Sequence, residues 1–379
     1  MINDSLIAKT INRWFKAIDF FNVSLLLFLI ILGLLFVVSA SPSVAKLKGL
    51  EEFYFIKKHY AFAIVSILTI FLFSFFSQSG IINISYLGLG LSLILILLAF
   101  LISYENNGSV RWLKVSGFSI QPTEFLKPFI VISFAYFLTR KKNIKLFNLY
   151  IEGKAVAFAL LLIISILVLA QPNYSMFAII FLVFISQYFI SGINLKWTII
   201  AFLSFIFLSI FSYFSLGHVK YRVDSFLNPN KVHFQVEKSI KAYKAGGLLG
   251  KGPGEGVIKK NIPDSHTDFI FPVIAEEYGS IVCIVIILTV FSIFFRGLFR
   301  ISKSKNVFKV TACVGLLTLF LIQALINVSV SMKLIPITGV TFPFISYGGS
   351  SLVSMGIVMG MMLSLTKKEF GKKDFRYAY

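Results

Sequence analysis

Along most of this chain, polar residues do not alternate with apolar ones at a helical or strand period. They are pushed to the ends of long apolar runs. Ten such runs are long enough to cross a hydrocarbon core, near residues 19 to 41, 59 to 77, 80 to 102, 123 to 139, 155 to 171, 174 to 191, 196 to 214, 269 to 294, 307 to 330 and 342 to 365. Only SQSG separates the second from the third and only QPNYS the fifth from the sixth, so each pair predicts a tight helical hairpin. The expected fold is an all-α polytopic membrane protein of ten transmembrane helices, one domain over 1–379. Residues 215–268 form its one long outer loop. No repeat of 20 to 50 residues, low-complexity linker or separate soluble domain interrupts that pattern.

Composition agrees with the pattern. Apolar residues make up 57% of the 379 and charged ones 14%, against about 25% charged in a soluble domain. Disorder, coiled coil and a secreted disulfide scaffold are excluded. The formal charge of +20, which in a soluble protein would raise the question of nucleic acid, reads here mostly as topology, with Lys and Arg gathering in cytoplasmic loops and at anionic headgroups, so that membrane lipid and not nucleic acid is the expected partner. With the N-terminus in the cytoplasm, 19 Lys and Arg fall on the inner side and seven in the short outer loops. Both termini are then cytoplasmic and residues 215–268 face outward. No small-residue cleavage site follows the first run, so it is expected to stay as a span. Cys283 and Cys313 both lie in apolar runs, where neither a disulfide framework nor a thiolate metal site is expected.

Charges inside apolar runs are costly and mark the first candidates for function. In IQPTEFLKPFIV, Pro122 can open the fourth helix, Glu124 and Lys127 share one face, and Pro128 would bend the helix beyond them. From spacing alone a structural ion pair is the stronger reading. Arg111 and Trp112 are adjacent at the membrane surface, either as an interfacial anchor or as a fork and an indole face for phosphate and sugar. The glycine-rich AGGLLGKGPGEGVIKKN lacks Walker spacing but could present amides and Lys251, Lys259 and Lys260 to an anion.

Asp264, His266 and Asp268 alternate in DSHTD and would share one face of an extended segment. Asp268 or Thr267 could cap the eighth helix, the trio could bind a metal, or Asp268 could be a general base among lysines. Scattered histidines and the lack of HExxH count against the metal. Glu276 and Glu277 lie two turns deeper. SYGGSS at Ser346 to Ser351 lacks a nucleophile elbow and reads as small residues for close packing.

Five collinear stretches carry a resemblance: GSVRWLKVSGFSIQPTEFLK, QPNYS, RVDSFLNP, QVEKSIKAYKAGGLLGKGPGEGVIKKNIPDSHTDFIFPVIAEEYG and INVSVSMKLIPITGVTFPFISYGGSS. Together they resemble the SEDS family (shape, elongation, division and sporulation), ten-span enzymes that polymerise peptidoglycan glycan strands from lipid II. GPGEG, IPDSHTDFIF and PITGVTFPFISYGGSS look more like its division members than its elongation members. The resemblance implies a catalytic Asp at Asp268 and substrate contacts at Lys127 and Glu124. It also implies lipid II as substrate, a class B penicillin-binding protein and other division proteins as partners, and the bacterial cytoplasmic membrane at the septum as location. One departure stands out: the family's QPDxG is Gln171, Pro172, Asn173, Tyr174 and Ser175 here.

That implication joins the residue reading. A diphosphate leaving group needs cations and not an acid, so one carboxylate base suffices. Asp268 is the expected base. Lys127, Arg111 and Lys259 are the expected phosphate contacts, with Glu124, Trp112, His266, Glu276 and Glu277 completing the substrate site. No tightly bound cofactor is expected, although a divalent cation, Mg or Mn, could bridge diphosphate and carboxylate. The competing readings are a lipid II flippase, an elongation-type polymerase and a noncatalytic division scaffold.

Overall fold

The computed structural model describes residues 11–102, 111–115, 118–141, 143–146, 149–228 and 234–368. Lys9, the NNGS stretch before Val110, Lys142, His233 and the basic tail beyond Lys368 lie outside them. A helix stands at each of the ten predicted windows: α1 (Phe20–Leu47), α2 (Tyr54–Phe75), α3 (Gln78–Ile102), α4 (Pro122–Thr139), α5 (Gly153–Ala170), α6 (Tyr174–Ile190), α7 (Leu195–Ser215), α10 (Ile270–Ile301), α11 (Val307–Ser331) and α12 (Gly349–Leu365). Seven are long and apolar enough to cross a membrane, and α6 and α12 are apolar but shorter. The fold is that of a polytopic helical membrane protein.

Three details differ from the expectation. The fold is not purely helical: β1 (Leu113–Val115) pairs with β2 (Phe118–Ile120), and β3 (Ile144–Leu146) with β4 (Leu149–Ile151), both antiparallel. Within 215–268 the chain forms amphipathic helices α8 (Gly217–Leu227) and α9 (Phe234–Gly246) and a 3-10 turn over Ile258–Asn261. Residues 342–348 of the last window stay outside α12, because Pro343 and the Gly348–Gly349 pair favour turns and Phe344 takes a positive φ of 63°.

α4 and α12 form the buried centre. α12 packs on α2, α4 and α11, and its Gly356 and Gly360 let backbones meet. A Cβ at Gly356 would stand 2.8 Å from the Ser66 carbonyl oxygen, and one at Gly360 would stand 2.7 Å from that of Ile70. In α4, Pro122 occupies the first turn, as its missing N–H allows. Pro128 leaves the Glu124 carbonyl without its helical donor. Ser354 Oγ of α12 donates to that oxygen at 2.6 Å, so the neighbouring helix repairs the bond that the proline removes.

α10 is broken once, at Gly279 (φ 79°, ψ 174°). The freed groups find partners in the glycine-rich loop. Lys251 N–H donates to the Glu276 carbonyl and Gly252 N–H to that of Glu277, while Ser280 N–H donates to Gly247 and Ile281 N–H to Leu248. Backbone lies against backbone: a Cβ on Gly250 would meet the Glu277 oxygen at 2.2 Å. The amides of this loop therefore serve α10.

Candidate functional site

A cleft of about 310 Å³ opens where α2, the β1–β2 hairpin, the start of α4, the turn before α10 and the start of α12 converge. Lys58 and Phe62 enter from α2, Trp112, Ser119 and Gln121 from the hairpin region, and Glu124 from α4. Asp264, Thr267 and Asp268 form a second wall, and Gly339, Thr341 and residues Tyr347–Ser351 the third.

DSHTD is a chain of turns and not an extended strand. Thr267 and Phe269 N–H both donate to the Asp264 carbonyl. That curvature leaves Asp264 and Asp268 in the cleft and turns His266 away. His266 is buried against the rings of Phe55 and Tyr347, 4.5 and 5.3 Å between centroids, where burial and the nearby Lys48 hold its imidazole down to about 3. Ser346 Oγ donates to the Thr267 carbonyl at 2.6 Å and Tyr347 N–H to that of His266 at 2.8 Å. The SYGGSS segment thus clamps the turn that carries Asp268.

Asn327 Nδ2 donates to the Asp268 carbonyl at 2.9 Å and to Val340 at 2.7 Å, tying both walls to α11. The N-cap residue of α10 is Phe269, and no side chain caps it, so the capping role proposed for Asp268 or Thr267 is not what the geometry shows. The half-buried Asp268 carboxyl is pushed up to about 7, chiefly by burial, then by Asp264, with Arg222 opposing. Asp264 is otherwise engaged, accepting from Gln235 Nε2 at 3.0 Å. No three His, Cys, Asp or Glu side chains converge to hold a metal among the described residues.

Lys127 and Glu124 form an ion pair at 2.7 Å. Glu124 faces the cleft, but Lys127 is 1% exposed and lies behind it, donating to Gln323 Oε1 at 2.7 Å. Gln323 in turn donates to the Thr341 carbonyl and to Ser351. Lys127 therefore sets the position of the cleft wall and does not line it. Arg111 does not line it either: its guanidinium donates to the carbonyls of Gln171 and Pro172. Asn173 caps α6, accepting from Met176 N–H at 3.4 Å, a role in which Asn serves as well as Asp.

The structure does not bring Lys259, Glu276 or Glu277 to the cleft. Glu276 accepts three backbone N–H groups, from Val257, Ile258 and Lys259, at 2.8–2.9 Å. Glu277 pairs with Lys259 and accepts from Ser39 Oγ. The anion that the glycine-rich segment binds is an internal carboxylate. Conversely, Lys58 and the N-terminal turn of α12 face the cleft. Sequence reading treats the first as a topology charge and the second as packing. Sequence holds no signal for their convergence, since residues 58, 124, 268 and 350 meet only through the fold.

Comparison with known proteins follows the same lines. Residues 20–370 match the family model FtsW/RodA/SpoVE, described as a cell cycle protein. A Caulobacter vibrioides protein named "Probable peptidoglycan glycosyltransferase FtsW" is 35% identical, covering 95% of this chain and 92% of its own. The stage V sporulation protein E of Bacillus subtilis is 31% identical over 92% of this chain and 97% of its own. Among solved structures, a chain of a peptidoglycan synthase complex superposes with a TM-score of 0.73 at 20% identity, covering 96% and 99% of the two chains. The rod shape determining protein RodA of Thermus thermophilus gives 0.67 at 20%, covering 92% and 96%. At that identity the structural matches speak for the fold alone.

Proposed function

The chain belongs to the FtsW/RodA/SpoVE family, and from that premise we propose that it is a peptidoglycan glycosyltransferase that polymerises lipid II, of the division type. In this reading the ten helices cross the cytoplasmic membrane with both termini inside, and the cleft opens outward. The observation that carries the chemistry is the half-buried Asp268, pushed up to about 7, in a cleft shared with Lys58 and the N-terminal end of α12. A base near neutrality suits proton abstraction from a sugar hydroxyl. Asp268 takes the proton of the acceptor 4-hydroxyl, whose oxygen bonds to the donor anomeric carbon. The bond from that carbon to the diphosphate oxygen breaks, and undecaprenyl diphosphate leaves with the electron pair. Lys58 and the Gly349 and Ser350 amides are placed for the developing negative charge, in place of Lys127, Arg111 and Lys259. Trp112 supplies an aromatic face for a sugar, and Glu124 and Lys127 hold the wall. A divalent cation entering with the diphosphate would be held on the protein side by Asp264 and Asp268 and would supply neutralisation of the leaving group's charge; two carboxylates alone do not make a resident metal site.

A class B penicillin-binding protein is the proposed partner, and the septum the proposed location. Incubating the purified protein with lipid II, alone and with such a partner, tests the reading: glycan strands should form, and Asp268→Asn should form none while still binding lipid II. Transfer of intact lipid II between leaflets without strands would favour the flippase. Orientation is tested separately by a membrane-impermeant thiol reagent on intact spheroplasts, which should label a cysteine placed at Gly254 and spare one placed at Lys303.

A further inference from the structure

A larger cavity lies apart from the Asp268 cleft. It encloses about 630 Å³ where the last turns of α10, the 301–305 turn and the C-terminal end of α12 meet. Its walls carry Arg296, Arg300, Lys303, Lys305, Lys367 and Lys368, and among the described residues no carboxylate lines it. Cations gathered around one hollow repel each other unless an anion joins them. Asp19, 2% exposed, answers only the arginines, pairing with Arg296 and Arg300 at 3.1 Å each. Lys303, Lys305, Lys367 and Lys368 pair with no described carboxylate. Burial and the neighbouring Lys309 push the Lys367 ammonium down to about 8, a penalty that a bound anion would relieve.

The surroundings distinguish a lipid from a soluble anion. Phe299 lines the cavity and is 58% exposed, and Phe295, one turn away on α10, is 60% exposed. Lys303 Nζ lies 4.4 Å from the Phe299 ring centre. α10 is one of the helices long and apolar enough to cross a membrane, so these rings continue the apolar face beside the charged hollow. We propose that this cavity is a binding site for the phosphate headgroup of an anionic phospholipid, whose acyl chains lie along Phe295 and Phe299. The inference uses the membrane fold and stands apart from the chemistry assigned to Asp268.

Native mass spectrometry of the delipidated full chain, offered equal phosphatidylglycerol and phosphatidylcholine, tests it. Phosphatidylglycerol should be retained in preference. The triple variant Lys303→Gln, Lys305→Gln, Lys367→Gln should lower its occupancy by about tenfold or more. Equal charge removal at a second basic hollow, Arg140→Gln, Lys141→Gln, Lys154→Gln, should leave it unchanged. If the first triple does not accumulate, Lys305→Gln alone, at an exposed position, should shift occupancy the same way. Equal retention of both lipids, or equal losses in both triples, would overturn the proposal. So would displacement by millimolar glycerol 3-phosphate, which would assign the hollow to a soluble phosphate.

Discussion

Lys127 with Glu124 and Lys259 with Glu277 are both buried lysine–glutamate pairs, and by residue type alone nothing separates them. Glu124 borders a cleft, whereas Glu277 is sealed, its partners being Lys259 and Ser39. The sealed pair sits beside Glu276, which gathers three amides of the 3-10 turn and fixes the glycine-rich loop to the broken α10. Taking a charge out of water is so costly that every buried ion must be paired. Pairing therefore says nothing about purpose. What matters is whether one member of the pair still meets an open space.

The largest effect should come from the acid that only the charge of Arg222 answers among the described residues. Among the described residues no hydrogen bond to the Asp268 carboxylate is formed, and its raised pKa means that the fold disfavours its charge. Asp268→Asn should lower strand synthesis at least about 10³-fold in a lipid II assay, without loss of folding. Activity of the native chain should fall below a pH of about 7, as the base gains its proton. The stability sign is opposite: the folded-state pKa lies above the ordinary 3.8, so this group's contribution is fully present below that value and lost as pH rises through 7. Asn, always neutral, should therefore match or raise the melting temperature at pH 8. A destabilised Asn variant would place Asp268 with the sealed acids instead.

Next in size is Glu277→Gln. It strands Lys259 without an anion and should cost about 3–5 kcal/mol in detergent denaturation. Glu124→Gln should cost less, about 1–3 kcal/mol, because cleft water can replace part of what Lys127 loses. Its activity should fall further than its stability explains. Equal costs for the two would erase the distinction between open and sealed pairs. The smallest effect is expected at Asn173, away from both: Asn173→Ala should cost about 1 kcal/mol for the lost cap, and Asn173→Asp should restore it.

Much of the helical framework was legible, because a membrane-spanning helix announces itself through one long apolar run. Asp268 and Glu124 were legible for the opposite reason, as acids where such runs begin. The break at Gly279 was not, since EEYGS carries no proline and the Gly247–Gly252 backbone that receives its freed groups lies about thirty residues earlier. Helices α8 and α9 were hidden by their charge. Lys259 was misplaced because a lysine in a glycine-rich loop looks available until Glu277 is known to hold it. Lys58 was missed because the α2 end that carries it meets DSHTD only in three dimensions.

The two helices at the centre of the molecule are also among its shortest, 18 residues in α4 and 17 in α12. At 1.5 Å per residue they rise about 26 Å, less than the ~30 Å of an ordinary hydrocarbon core. With the helices crossing the membrane in the proposed orientation, the cleft at their ends is recessed below the plane where lipid headgroups normally lie. A bilayer around it would then have to dip or admit water, and in the proposed reaction a phosphate carried on a polyprenyl tail would descend into the cleft while that tail stays in the leaflet.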